Sequence, residues 1–108
     1  MGLSTHVLDT ASGRPAVGVP LLVQRLVSDG WREVGRAETD SDGRATDLVP
    51  LPEFVAGRYR LLFDTSTVHG PDAWLPSVTV EFMVSDASAQ LHVPLLLSPF
   101  GYTTYRGS

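Results

Sequence analysis

Apolar residues at every second position, in short runs broken by turn clusters, constrain this chain more than any other feature of its sequence. The clearest run is Val78-Thr79-Val80-Glu81-Phe82-Met83-Val84. Successive side chains of a strand point to opposite faces, so Val78, Val80, Phe82 and Val84 are expected on a core, with Thr79, Glu81 and Met83 facing outward or toward a partner. Further strands are predicted near Leu3 to Thr10, Val19 to Val27, Arg32 to Thr39, Arg44 to Asp47, Arg58 to Asp64, Leu91 to Leu97 and Tyr102 to Tyr105. Together they make about eight short strands, the pattern of an all-β sandwich or barrel. Ser12-Gly13-Arg14-Pro15, Ser28-Asp29-Gly30, Asp40-Ser41-Asp42-Gly43 and Ala56-Gly57 supply the turns between them, glycine through positive φ and Asp or Ser through bonds to the local backbone. Only Thr65 to Trp74 has room for a helical turn, and Gly70-Pro71 keeps it short.

The 108 residues suit one domain, residues 1–108, with a single core. Charged residues make up 19% of the chain, below the roughly 25% usual for soluble domains, which points to a surface partly covered by another subunit. There is no cysteine, hence neither a disulfide framework nor a thiolate metal site, and the chain must be held by packing or by oligomerisation. The net charge of −4 offers no basic field for nucleic acid. Met1-Gly2-Leu3-Ser4-Thr5-His6 lacks the charged and apolar regions of a secretion signal, and His at position 6 breaks the myristoylation pattern. No apolar run approaches the roughly 20 residues that span a bilayer. A cytoplasmic location with no membrane partner is the expectation.

Three histidines, His6, His69 and His92, have unperturbed pKa values near neutrality and could move protons. His6 shares a strand face with Ser4, Leu8 and Thr10. His92 shares one with Pro94 and Leu96, inside an otherwise apolar run. A lone imidazole in such company is more often a satisfied core or interface residue than a catalyst. His69, beside Gly70-Pro71, reads as a solvated surface residue. No histidine pair has the spacing that preorganises a zinc site, and Asp40-Ser41-Asp42-Gly43 holds only a fragment of a calcium loop, so a tight turn is the better reading. Nucleophile elbows, phosphate loops and dinucleotide fingerprints are absent. Arg44 reads by itself as an exposed strand residue paired with a neighbouring acid. Pro94, which cannot donate to a ladder, points to an edge or a bulge. The final Tyr105-Arg106-Gly107-Ser108 follows directly on a strand-like segment, which suggests an ordered end whose Ser108 carboxylate lies beside Arg106.

Taken in order, Leu3-Ser4-Thr5-His6-Val7-Leu8-Asp9-Thr10, Gly13-Arg14-Pro15-Ala16, Asp42-Gly43-Arg44, Gly57-Arg58-Tyr59-Arg60-Leu61, His92-Val93-Pro94-Leu95-Leu96-Leu97-Ser98-Pro99 and Tyr105-Arg106-Gly107-Ser108 resemble the 5-hydroxyisourate hydrolase branch of the transthyretin family. The resemblance runs over almost the whole chain, and the terminal tetrapeptide separates these hydrolases from the hormone carriers. Thr65 to Leu75, usually richer in Tyr and Phe, and Gln90-Leu91 depart from the family pattern outside the implied site. The resemblance implies a transthyretin-like sandwich of two four-stranded antiparallel sheets with one short helix, assembled as a homotetramer around a central channel. Its sites would lie at the dimer-dimer interface.

What the resemblance implies chemically is opening of the six-membered ring of 5-hydroxyisourate, giving 2-oxo-4-hydroxy-4-carboxy-5-ureidoimidazoline in urate degradation. It is a cyclic amide hydrolysis with no metal or other cofactor. Water loses a proton as it attacks the ring carbonyl and the leaving nitrogen gains one, a task suited to two imidazoles. The implied catalytic residues are His6, Arg44, His92 and Ser108, and the implied substrate-binding residues are His6, Arg44, Tyr105 and Arg106. His92 is favoured as the base, with His6 open as the alternative base and otherwise holding substrate or aiding proton transfer, and Arg44 is the fork for the oxyanion. Tyr105 would close over the ring, and Ser108 would orient a histidine or the water. Two other readings stand beside it: a transthyretin-like carrier that binds a hydrophobic ligand without catalysis, and an adhesive or linker sandwich module with no site.

Overall fold

The computed structural model describes residues 2–107. The strands are β1 (Leu3–Asp9), β2 (Arg14–Pro15), β3 (Pro20–Val27), β4 (Gly30–Glu38), β5 (Arg44–Ala45), β6 (Gly57–Phe63), β7 (Val78–Val84), β8 (Leu91–Ser98) and β9 (Gly101–Thr104). A single 3-10 turn (Leu51–Glu53) precedes β6, and the helix α1 (Ser66–His69) follows it, inside the only window the sequence leaves open for one. The strands form two sheets. One has the order β2-β1-β8-β9 with β5 also on β1, and the other the order β4-β3-β6-β7.

The alternation seen in sequence is the alternation of burial. Val78, Val80 and Val84 are buried, Phe82 is half-buried, and Thr79, Glu81 and Met83 are exposed. Leu3, Val7, Val93, Leu95 and Leu97 from the first sheet meet Leu21, Val23, Tyr59, Leu61 and Phe63 from the second. Each fully buried side chain of this size stabilises the fold by about 1.5–3 kcal/mol relative to exposure. Thr5 and Tyr59 reach the same interior with their polar atoms satisfied. The Thr5 hydroxyl donates to Val93 O at 2.6 Å, and the Tyr59 hydroxyl donates to Val55 O while accepting from Val55 N–H.

Two details of the expected sandwich differ. The first sheet has five strands rather than four, because β2 and β5, each of two residues, both pair with β1. β5 ends at Ala45, short of the predicted Asp47, which has φ 52°. Nor is that sheet wholly antiparallel, since β1 and β8 run parallel from Leu3↔Leu91 to Asp9↔Leu97. Parallel neighbours need a long crossover, and here the whole four-stranded sheet serves as one. Pro94 was expected at an edge or a bulge; β8 is not an edge, for it lies between β1 and β9. Gly107 N–H donates to His92 O, so alternate residues of β8 address β9, and Pro94 is next in that series. The continuous pairing with β9 accordingly stops at Leu95↔Thr104 and resumes as one bridge at His92↔Gly107. The missing donor is accommodated by an interrupted neighbour.

Candidate active site on the outer face of the five-stranded sheet

With Leu3, Thr5 and Val7 on the core side of β1, residues Ser4, His6 and Leu8 occupy its outer face. By the same alternation His92, Pro94 and Leu96 occupy the outer face of β8. The turn before β5 brings in the cation. Asp40 Oδ1 accepts from Asp42 N–H at 2.8 Å and from Arg44 N–H at 3.0 Å, and Gly43 N–H donates to Asp40 O at 2.9 Å. Gly43 has φ 74°, and a Cβ there would lie 2.6 Å from Val7 O, so only glycine lets the turn close on β1. The result is a cross-strand pair, His6↔Arg44, with Pro94 on the other flank of His6.

One row along, Ser4 pairs with His92 in the parallel ladder, and the Ser4 hydroxyl lies 2.8 Å from His92 Nδ1. Gly107 bridges to His92 from the other side. The His92 imidazole is held below its ordinary pKa, first by burial and then by the charges of Arg44 and His6. Neutral imidazole is therefore its resting form around neutrality. Asp40 is kept ionised below the usual carboxylate range by the backbone N–H groups of Arg44 and Asp42, with smaller help from the Arg44 and His6 charges.

The structure thus gathers His6, Arg44 and His92 on one face. Tyr105 and Arg106 line a hollow of about 220 Å³ with Val80, Phe82, Leu91 and Val93, on the side facing β7. Gly107 lies directly against the His92 ring and bridges to its backbone. Ser108 lies outside the described residues. Ser4 carries no role in the sequence reading, and Gly107 enters it only as part of the terminal tetrapeptide. Ser4 shares a face with His6, a legible signal, but its contact with His92 depends on a strand pairing across 88 positions.

His69 is not a solvated surface residue. Its side chain is 14% exposed, and Nε2 lies 3.0 Å from Asp9 Oδ1, because α1 packs its last residue against the end of β1. Burial alone would raise the Asp9 pKa, but hydrogen bonds from His69, Ser12 and Ala11 N–H outweigh it, and the carboxyl is held low. A hollow of about 660 Å³ lies on the outer face of the other sheet among Pro20, Leu22, Arg36, Leu62 and Asp64. It contains no histidine. Among the described residues no group of His, Asp and Glu is arranged to hold a metal ion.

The chain is 46% identical over 116 residues to 5-hydroxyisourate hydrolase 2 of Rhizobium meliloti (strain 1021), covering 98% of this chain and 95% of that protein. Its fold matches sea bream transthyretin in complex with thyroxine at a TM-score of 0.89, with 33% identity over 99% of this chain and 95% of the other. It matches the Klebsiella pneumoniae 5-hydroxyisourate hydrolase at 0.84, with 32% identity over 100% of both chains. The family description HIUase/Transthyretin fits residues 3–107. With two sheets of this order and matches along nearly its whole length, the chain belongs to the HIUase/Transthyretin family.

Proposed function

We propose that this protein hydrolyses 5-hydroxyisourate to 2-oxo-4-hydroxy-4-carboxy-5-ureidoimidazoline, a step of urate degradation. The observation that carries the reading is the gathering of His92, His6 and Arg44 on one sheet face, with His92 held below its ordinary pKa by burial and by those charges, in a chain 46% identical to a hydrolase of that name. The substrate is a flat, oxygen-rich ring whose six-membered half contains a cyclic amide. Attack of water on the ring carbonyl carbon creates an oxyanion, breaks the carbon–nitrogen bond and frees a nitrogen that must be protonated. The two imidazoles move or share protons. Arg44 supplies a fixed positive charge for the oxyanion, which counts for more in a site from which water is excluded.

The fold does not separate a hydrolase from a carrier, since both kinds of neighbour match it. The side chains do. A carrier of a hydrophobic ligand needs an apolar face, and His6, Arg44 and His92 put charge and hydrogen-bonding capacity there instead.

A single chain leaves this face open, so the reading includes a homotetramer in which a second copy roofs it at the dimer-dimer interface. Phe100, 79% exposed at the tip of the β8–β9 turn, and the half-buried Leu8 and Leu96 on the outer face support that assembly. Tyr105 and Arg106 would then serve substrate across subunits.

The test is the decay of 5-hydroxyisourate generated by uricase. Wild-type protein accelerates it, and His6→Ala, His92→Ala and Arg44→Ala each lower the rate by on the order of 10²–10⁴-fold. Wild-type rates in all three variants overturn the site. No acceleration by wild type overturns the function.

A further inference from the structure

The His92 ring is gripped from both sides of its strand. On the β1 side the Ser4 hydroxyl lies 2.8 Å from Nδ1. On the β9 side Gly107 approaches so closely that a Cβ there would sit 2.7 Å from Cδ2. Both neighbours are set by the ladders, Ser4 by the parallel pairing and Gly107 by the isolated bridge. One ring nitrogen is therefore committed, and Nε2 has no partner among the described residues.

A neutral imidazole carries a single N–H, and the hydrogen bond at one nitrogen decides where it sits. Ser4 is buried, and among the described residues its hydroxyl bonds to nothing but Nδ1. Were Nδ1 the donor, the hydroxyl hydrogen would be left without an acceptor, an arrangement buried polar groups avoid. With the hydroxyl as donor, no hydrogen is idle and the ring proton must be on Nε2.

We propose that Ser4 is the positioning residue of this site: its hydroxyl donates to His92 Nδ1, fixes the Nε2–H tautomer, and makes His92 a hydrogen-bond donor to the developing oxyanion instead of the base. The proposal rests on the hydrolase reading above, and it chooses between the two histidines that the sequence left open, against the favoured His92. His6 then takes the proton from the attacking water. The water oxygen bonds to the ring carbonyl carbon, and the oxyanion forms against His92 Nε2–H and Arg44. As the carbon–nitrogen bond breaks, protonated His6 returns its proton to the leaving nitrogen, and the new carboxylic acid releases its own to solvent. His92 keeps its proton throughout, as suits an imidazole that burial and Arg44 hold neutral.

The test combines ring nitrogen-15 spectra of His92 with uricase-coupled kinetics on the intact protein. In wild type Nδ1 is expected as the unprotonated, hydrogen-bonded nitrogen and Nε2 as the protonated one. Ser4→Ala is expected to mix the two tautomers and lower kcat about tenfold, the worth of one hydrogen bond, with KM changed less than about twofold. Ser4→Thr, which keeps the hydroxyl, restores both. A protonated Nδ1 in wild type overturns the proposal without any variant having to fold. So does Ser4→Ala with unchanged tautomer and unchanged kcat. If wild type leaves 5-hydroxyisourate untouched, the hydrolase reading fails and the donor role goes with it, while the spectra still decide the direction of the Ser4 bond.

Discussion

Gly107→Ala tests how tightly the reacting face is built. The added Cβ would lie 2.7 Å from His92 Cδ2 and 3.3 Å from its Cβ and Cγ, about 0.8 Å inside the roughly 3.5 Å at which carbon atoms rest. The ring cannot slide away toward β1, because Nδ1 is already 2.8 Å from Ser4 Oγ. It must rotate out of its slot, breaking that bond and moving Nε2 by on the order of 1 Å. A displacement of this size at a reacting group costs up to about 10²-fold in rate, and the lost hydrogen bond alone about tenfold. We expect kcat for uricase-generated 5-hydroxyisourate to fall 10–100-fold. The backbone has no reason to object, since Gly107 does not occupy the left-handed region and its N–H donates to His92 O at 2.8 Å in a bridge that alanine can keep. Thermal melting should therefore stay within a few degrees of wild type. Combining Gly107→Ala with Ser4→Ala should add little to the slower single variant, because both act through one ring. A wild-type kcat in Gly107→Ala, or two losses that multiply, would refute the clamp.

Arg44→Gln removes a charge that disfavours protonation of His92, so the His92 titration, followed by nuclear magnetic resonance, should move to higher pH; an unmoved or lower midpoint contradicts the electrostatic reading. Because burial is the larger cause, the shift should not carry the group past its ordinary value. Asp9, held low by His69 and its other donors, contributes stability that is complete above the unfolded carboxylate value of about 3.9 and is lost as pH falls through the lower folded value. Asp9→Asn should accordingly melt about 5 °C below wild type at pH 7, with the gap closing in acid; a gap that persists there denies the Asp9 hydrogen bonds their role. Gly43→Ala places a side chain at φ 74° and 2.6 Å from Val7 O and should cost about 3 kcal/mol, read by denaturant unfolding; a cost below about 1 kcal/mol would show that the turn can shift.

The elements that were legible in sequence are those whose information is local. Alternation in Val78–Val84 assigned the two faces of β7 correctly, and Asp40-Ser41-Asp42-Gly43 read as a turn because the acid and the glycine make their bonds within four residues. What could not be read locally was the pairing between distant strands. Nothing in Leu3–Asp9 announces that it will lie parallel to Leu91–Ser98, and so Ser4 could not be matched to His92. Pro94 misled for a related reason: it reports a missing donor, and the chain satisfied that constraint by interrupting β9 rather than by exposing β8. His69 looked solvent-borne beside Gly70-Pro71, yet four helical residues suffice to turn it onto Asp9. His6, Arg44 and His92 were assembled through family resemblance, since no spacing rule links positions so far apart.

A site on the face of a sheet differs in kind from one in a cleft. A hollow of about 660 Å³ lies against Leu22 and Leu62 and is lined by no imidazole, whereas His92, its proton affinity displaced, sits on the outer face of a sheet. Electrostatic stabilisation of an oxyanion is weak in bulk water and strong where water is excluded, so Arg44 and His92 on an open surface would be poor catalysts. In the proposed assembly a second copy of the chain would cover the face, resolve this and tie activity to assembly. The same covering would protect the half-buried Leu8 and Leu96 that flank the polar row. On this reading the low charge content of the chain and the catalytic competence of its histidines have one cause: a face built to be reactive only when it is shared.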